Sequence, residues 1–233
     1  MSGISSRGGK KMWCIPKVTP EFIERMEHVL ELYGAPYNPL EPVLCFDEKS
    51  KQLLRDIRAV QKAKEGRMRR YDYEYKRNGT RNIFVTVEPK GGYRAATVTK
   101  RRTKQDFAHE MKRIAALPRY RACKKIHVVL DNLNTHFEKS FLETFGADET
   151  ETIMRRIRFH YTPKHASWLN MAEIEIGILN RQCIRGRIPT EERLTTKIAA
   201  WQTERNEQQA MIQWKFNVKA ARNKFQYEPT ILS

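Results

Sequence analysis

Long hydrophobic runs are missing from this sequence. No apolar stretch exceeds a few residues, and the opening segment MSGISSRGGKKMW lacks the hydrophobic block of a signal peptide. Secretion and membrane spans are set aside on that ground, and the chain is expected in the cytoplasm. Cysteine is sparse: Cys14, Cys45, Cys123 and Cys183 lie far apart without C-x-x-C spacing, which argues against a zinc knuckle and a disulfide framework. Acids are outnumbered, 27 Asp and Glu against 44 Lys and Arg, for a formal charge of +17 and a pI near 9.9. Such a field concentrates polyanions, so nucleic acid is the leading partner class, with a merely solvated basic surface as the plainer alternative.

At 233 residues the chain can bury a sizeable core, and it reads as one domain with an appended arm. Residues 1–11 are rich in Ser, Gly and Lys and are expected to be a disordered leader. An N-terminal helix and connector follow over 12–40. Thr19, Pro20 and Glu21 open the helix; Phe22, Met26, Val29 or Leu30 and Tyr33 share a face, and Gly34 stops it. The connector APYNPLEP leads into an apolar strand over 43–46, which runs straight into Asp47 and Glu48.

Residues 62–82 carry eight basic residues with Tyr71, Tyr73 and Tyr75 at alternate positions. Arg67, Arg69, Arg70, Lys76 and Arg77 suit a phosphate backbone and the tyrosines suit bases, although a solvated charged hairpin has the same composition. NIFVTVE and GYRAATVTK, joined by PKGG, predict an antiparallel hairpin. Thr103 and Asp106 form a capping-box pattern ahead of Phe107, Met111 and Ile114, and Pro118 ends that helix. Ile126 to Leu130 is apolar without alternation, as in a strand covered on both faces, and stops at Asp131. Phe137, Phe141 and Phe145 mark a helix closed by Gly146, and IRFHY is a strand. Helices are predicted over Trp168–Cys183 and from Thr190 to about Arg205, and 206–233 is a C-terminal segment. This order predicts an α/β domain, a mixed sheet flanked by helices, compatible with a ribonuclease-H-like fold with the basic arm between its first two strands.

Asp47 and Asp131 each end a hydrophobic strand, and Glu173 lies early in a helix. Neighbouring strands would bring the aspartates together, and the helix start would add a third carboxylate. Mutual repulsion then calls for a hard divalent cation: Mg²⁺ takes oxygen ligands, uses one or two carboxylates directly and shares its shell with water and phosphate. Two ions about 3.5–4 Å apart can activate a nucleophile and stabilise the leaving oxygen of a phosphodiester. An Asp at a strand end is equally a turn former or cap. Glu175 competes with Glu173, because two positions on a helix point to nearly opposite sides; spacing leaves that choice open.

The pieces WCIPKVTPEFIERMEHVLELY, CFDEKS, RRYDYEYKRNGTRNIF, VVLDNLNTHF and HYTPKHASWLNMAEIEIGIL, in this order, resemble the catalytic region of bacterial insertion-sequence transposases of the mariner superfamily. The likeness runs from about residue 10 almost to the C-terminus. It implies that 41–205 is an Asp-Asp-Glu catalytic domain in which Asp47, Asp131 and Glu173, rather than Glu175, hold the metals. The separations, 84 and 42 positions, suit that group. It further implies Mg²⁺, with Mn²⁺ as a possible substitute, cleavage and joining of element ends by cut-and-paste at a TA target, a homodimer on DNA, and an arm touching DNA or a partner subunit. His136 and His165 lie in the same motifs and could donate to phosphate or shuttle a proton, or simply satisfy a loop. Asn170 could orient the helix start or contact phosphate, and Trp168 reads as core. The helix-turn-helix region that usually precedes this domain is absent from the 46 residues before Asp47. A structure-selective nuclease on the same fold, or a DNA-binding regulator that no longer cuts, remain the alternative readings.

Overall fold

A computed structural model describes residues 18–58, 65–66, 73–132 and 138–227. The expected leader, Arg67, Arg69, Arg70, Tyr71 and His136 lie outside the described residues. The chain runs α1 (Pro20–Gly34), β1 (Val43–Asp56), β2 (Tyr75–Glu88), β3 (Tyr93–Thr99), α2 (Lys104–Ala115), β4 (Ile126–Leu130), α3 (Glu138–Phe145), α4 (Ala147–Met154), β5 (Ile157–Tyr161), α5 (Met171–Gln182), α6 (Glu191–Glu207) and α7 (Val218–Phe225). The strands form one sheet in the order β3-β2-β1-β4-β5, antiparallel between β1, β2 and β3 and parallel between β1, β4 and β5.

Strand alternation sorts the core into two layers. Leu44, Phe46, Phe84, Val128 and Leu130 face α2, α3 and α4, where Phe107, Met111, Phe141 and Ile153 meet them. Cys45, Val87 and Val129 face the other way, onto Val29 and Tyr33 of α1 and Met171 and Ala172 of α5. Farther along that second face, Leu53, Ile83 and Val85 pack on Leu179 of α5 and on Leu194, Ile198 and Trp201 of α6. Asp47 lies between these two apolar patches.

Helix α1 buries the expected face, capped by Thr19, whose Oγ1 accepts from the Phe22 amide at 3.2 Å. The capping box of Thr103 and Asp106 opens α2, and the PKGG turn joins β2 to β3. Three expectations need correction, and one helix, α4, is additional to those expected. The first strand does not end at 46. It continues to Asp56 because β2 pairs with it from Cys45 onward, whereas its pairing with β4 ends at Cys45, two residues before Asp47. The basic segment 62–82 does not lie wholly between the first two strands: from Tyr75 it belongs to β2. Residues 147–154 form α4, separate from α3 because Gly146 turns the chain with φ 81°, a region that favours glycine. The helix expected from Trp168 starts only at Met171, preceded by a single 3-10 turn over Ser167–Leu169.

The C-terminal segment packs on the same domain. Trp214, Phe216 and Phe225 join Phe22, Met26 and Leu30 of α1, and Arg222 and Tyr227 both donate to Glu27. Trp168 rests against the rings of Phe216 and Phe225 while staying 38% exposed.

Candidate active site

The register of β1 against β4 is constant: Val43 pairs with His127, Leu44 with Val128 and Cys45 with Val129. Asp47 and Asp131 each lie two residues beyond the last of these pairs, Asp131 just past the end of β4, and the charge of Asp131 acts on Asp47. Asp47, within β1, continues the alternation of Cys45 and so belongs to the face that meets α1 and α5. Here β4 has ended while β1 continues to Asp56.

Helix α5 delivers the third carboxylate. Asn170 is its N-cap: its Oδ1 accepts from the Ala172 amide at 3.1 Å and its Nδ2 donates to the Phe46 carbonyl at 2.8 Å. The second bond ties the helix start to the peptide immediately before Asp47. Asn170 is 1% exposed, so of its two readings the structure gives helix orientation. Met171 and Ala172 then enter the core beside Cys45, and Glu173 emerges in the first turn, exposed.

Glu175 goes the other way. Fully buried, it accepts from Arg94 at 2.9 and 3.2 Å and from Arg205 at 3.1 and 3.2 Å. Its carboxylate is committed to binding α5 to β3 and α6. Arg94 went unnoticed in the sequence reading, although a signal existed. It alternates with Ala96 and Val98 on an apolar strand face, and a buried cation there requires a buried acid.

The electrostatics follow from this convergence. Burial, the largest cause, and the charges of Asp131, Glu173 and Glu48 push the Asp47 carboxyl up to about 7, opposed by the Glu48 amide, which donates to Asp47 Oδ1 at 2.7 Å. Among the described residues no histidine is among the groups that act on it. His165 instead lies beside Thr19, Phe22 and Arg25 at the start of α1, in a left-handed conformation with φ 61°. Lys76 and Arg77 are exposed on β2, opposite Arg55 and Leu54. Arg77 is eight residues from Val85, the partner of Asp47, so the arm's base stands roughly 27 Å along the strand from the acids.

The donor set, carboxylate oxygens, suits a hard cation. Among the described residues no three His, Cys, Asp or Glu are close enough to hold an ion unaided. An ion bound here therefore draws part of its shell from water or phosphate, which is how Mg²⁺ is ordinarily held. No helix among the described residues is long and apolar enough to cross a membrane.

Residues 42–195 match the family described as DDE superfamily endonuclease. No curated relative matches the chain. Among solved structures the chain is similar to the Mos1 mariner paired-end complex with Mn, with TM-score 0.52 and 13% identity over 97% of this chain and 66% of that one. It is similar also to the Mos1 transposase paired-end complex with left transposon end, with TM-score 0.53 and 13% identity over the same shares. The Mos1 strand transfer complex gives TM-score 0.52 and 12% identity over 97% and 65%. The chain thus spans about two thirds of the length of these relatives, and at such identity the likeness is one of fold.

Proposed function

The chain belongs to the DDE superfamily endonucleases, and from that membership we propose that it is the catalytic domain of a cut-and-paste DNA transposase, with Asp47, Asp131 and Glu173 as its metal-holding acids. What supports the reading is that the charges of Asp131 and Glu173 both act on Asp47, with β1 and β4 adjacent and parallel and Asn170 tying the start of α5 to Phe46. Mg²⁺, or Mn²⁺ in its place, would supply activation of the attacking oxygen and stabilisation of the leaving one.

The chain's own residues have separable tasks. Asp47 must give up its proton before it can act as a ligand, and the neighbouring carboxylates that raise its pKa make that loss easiest when a cation arrives. Asn170 fixes the approach of Glu173. Lys76 and Arg77, with Arg67, Arg69 and Arg70 of the same arm, hold DNA phosphates away from the reacting bond, and the excess of 44 basic over 27 acidic residues favours that partner. Element ends and a TA target as substrates, and a dimer on DNA, belong to the same proposal and rest on the mariner likeness.

The test is nicking of supercoiled plasmid by the purified chain with Mg²⁺ or Mn²⁺, beside Asp131→Asn and an EDTA control. Metal-dependent nicking absent from the variant is the expected result, and joining of a precut 3′-hydroxyl end to target DNA separates a transposase from a hydrolytic nuclease. Equal nicking by both proteins would remove the assignment.

A further inference from the structure

The loop 184–190, which follows α5, and the first residue of α6 are stitched along the hairpin that carries the arm. Lys51 Nζ donates to the carbonyls of Ile184 and Gly186, both at 2.8 Å, and the Leu54 amide donates to Ile188 at 2.8 Å. From the other strand Asn78 Nδ2 donates to the Pro189 carbonyl at 2.7 Å and Arg81 Nε to Glu191 at 2.6 Å. One side chain of this loop reaches both stems of the arm at once. Arg187 Nη1 donates to Asp56 Oδ1 at 2.6 Å, at the end of β1, and to the Glu74 carbonyl at 3.1 Å. Its Nη2 donates to the Tyr73 carbonyl at 3.2 Å, and its guanidinium lies 5.1 Å from the centre of the Tyr75 ring.

We propose that Arg187 is a positioning residue for the DNA-binding arm, clamping the ends of β1 and β2 to the loop after α5 so that the arm's cations are held at a set distance from the carboxylates. The inference rests on the reading of the arm as a DNA contact. Three features support it. The grip uses both prongs of a planar fork plus a ring face, a geometry that lysine cannot supply. Arg187 and Asp56 are 24% and 30% exposed, and ion pairs of that exposure add little to global stability, so what the clamp provides is orientation. The clamped loop also leads directly from the helix that carries Glu173, which fixes arm and acid to one rigid element. Cations ordered before DNA arrives lose less freedom on binding.

The test is anisotropy titration of a short duplex with the whole chain at several salt concentrations, together with cleavage kinetics. Arg187→Ala is expected to weaken binding about tenfold and to raise KM by a similar factor while kcat changes less than twofold; Arg187→Lys, which keeps the charge and loses the fork, is expected to recover little. Asp56→Asn is the sharper variant. Removing an acid would tighten DNA binding by charge alone, so weaker binding supports the clamp and tighter binding overturns it. A cycle with the Lys76→Ala/Arg77→Ala pair completes the test. The pair is expected to cost affinity in the wild-type background and almost nothing further in Arg187→Ala, where the arm is already misplaced. Additive losses would make Arg187 a direct phosphate contact and overturn the positioning role. No loss from the pair in the wild type would instead remove the arm's DNA reading, and the inference with it.

Discussion

Two glutamates on one helix, two positions apart, have opposite fates. Glu173 is exposed and its charge acts on Asp47; Glu175 is 0% exposed between two arginines. Substitution should therefore separate them. On the proposed assignment Glu173→Gln removes a ligand and no buried partner, so metal-dependent cleavage should disappear with Tm nearly unchanged. Glu175→Ala strands Arg94, itself 0% exposed, and should cost about 3–5 kcal/mol, the usual result of breaking a buried pair. Parallel melting curves and nicking assays check both; an inactive, fully stable Glu175→Ala would contradict the division. Helical spacing states only that the two side chains diverge. Which one turns inward depends on Arg94, 81 residues away, and Arg205, 30 residues away, and neither contact is visible in local sequence.

At the scale of elements, α5 is placed by its cap. Asn170 satisfies an orphan amide of the helix and a carbonyl of β1 with one side-chain amide. Asn170→Ala should cost about 1–2 kcal/mol from the cap and the abandoned carbonyl, and cleavage should fall more than tenfold because Glu173 loses its anchor. Asn170→Asp keeps the cap acceptor and loses the donor, so stability should recover more than activity; equal recovery of both would show that the bond to Phe46 does not matter. The same residue explains a boundary that the sequence left hidden. Trp168 and Leu169 continue the apolar pattern of α5, but a cap at Asn170 with extended backbone, φ −81° and ψ 110°, cannot lie inside a helix. Elements set by local chemistry were legible: the Thr19 cap, the Thr103 box, the PKGG turn and the apolar run of β4. The length of β1 was not. Past Asp47 its residues are polar apart from Leu53 and Leu54, and what makes them a strand is pairing with Tyr75 to Phe84 of β2. The aspartates were legible as strand-end acids, whereas their meeting is a property of register between segments far apart in the chain.

Across the whole molecule, α1 and the C-terminal segment form a layer that closes one face of the sheet, and three of the six histidines stand where it meets β4 and β5. His28 Nε2 lies 2.7 Å from His160 Nδ1, and His160 Nε2 lies 2.8 Å from His127 Nδ1. A chain of imidazoles that each donate to the next works only while the middle ring is neutral. Burial, then the neighbouring histidines and Arg158, push His160 down to about 3, and burial likewise lowers His127, against a Glu41 charge that favours protonation. The unfolded chain therefore binds more protons than the native one from about pH 3 to 6.5, so this contribution is complete above 6.5 and is lost as the pH falls. Asp47 has the opposite sign. Its raised pKa means that the native state holds a proton that the unfolded state has released, so its contribution is present below pH 3.8 and is lost as the pH rises through about 7. In metal-free buffer the two trends offset each other near pH 5–6, and single substitutions should expose them. Asp47→Asn should leave a Tm that climbs from pH 5 to 7, and His160→Gln one that falls over the same range. Each pKa unit is about 1.4 kcal/mol, which for a chain of this size moves Tm by roughly 3–6 °C, well within reach of a melting experiment. Identical pH profiles for both variants and the parent chain would mean that neither the acid cluster nor the histidine chain governs the stability of the molecule.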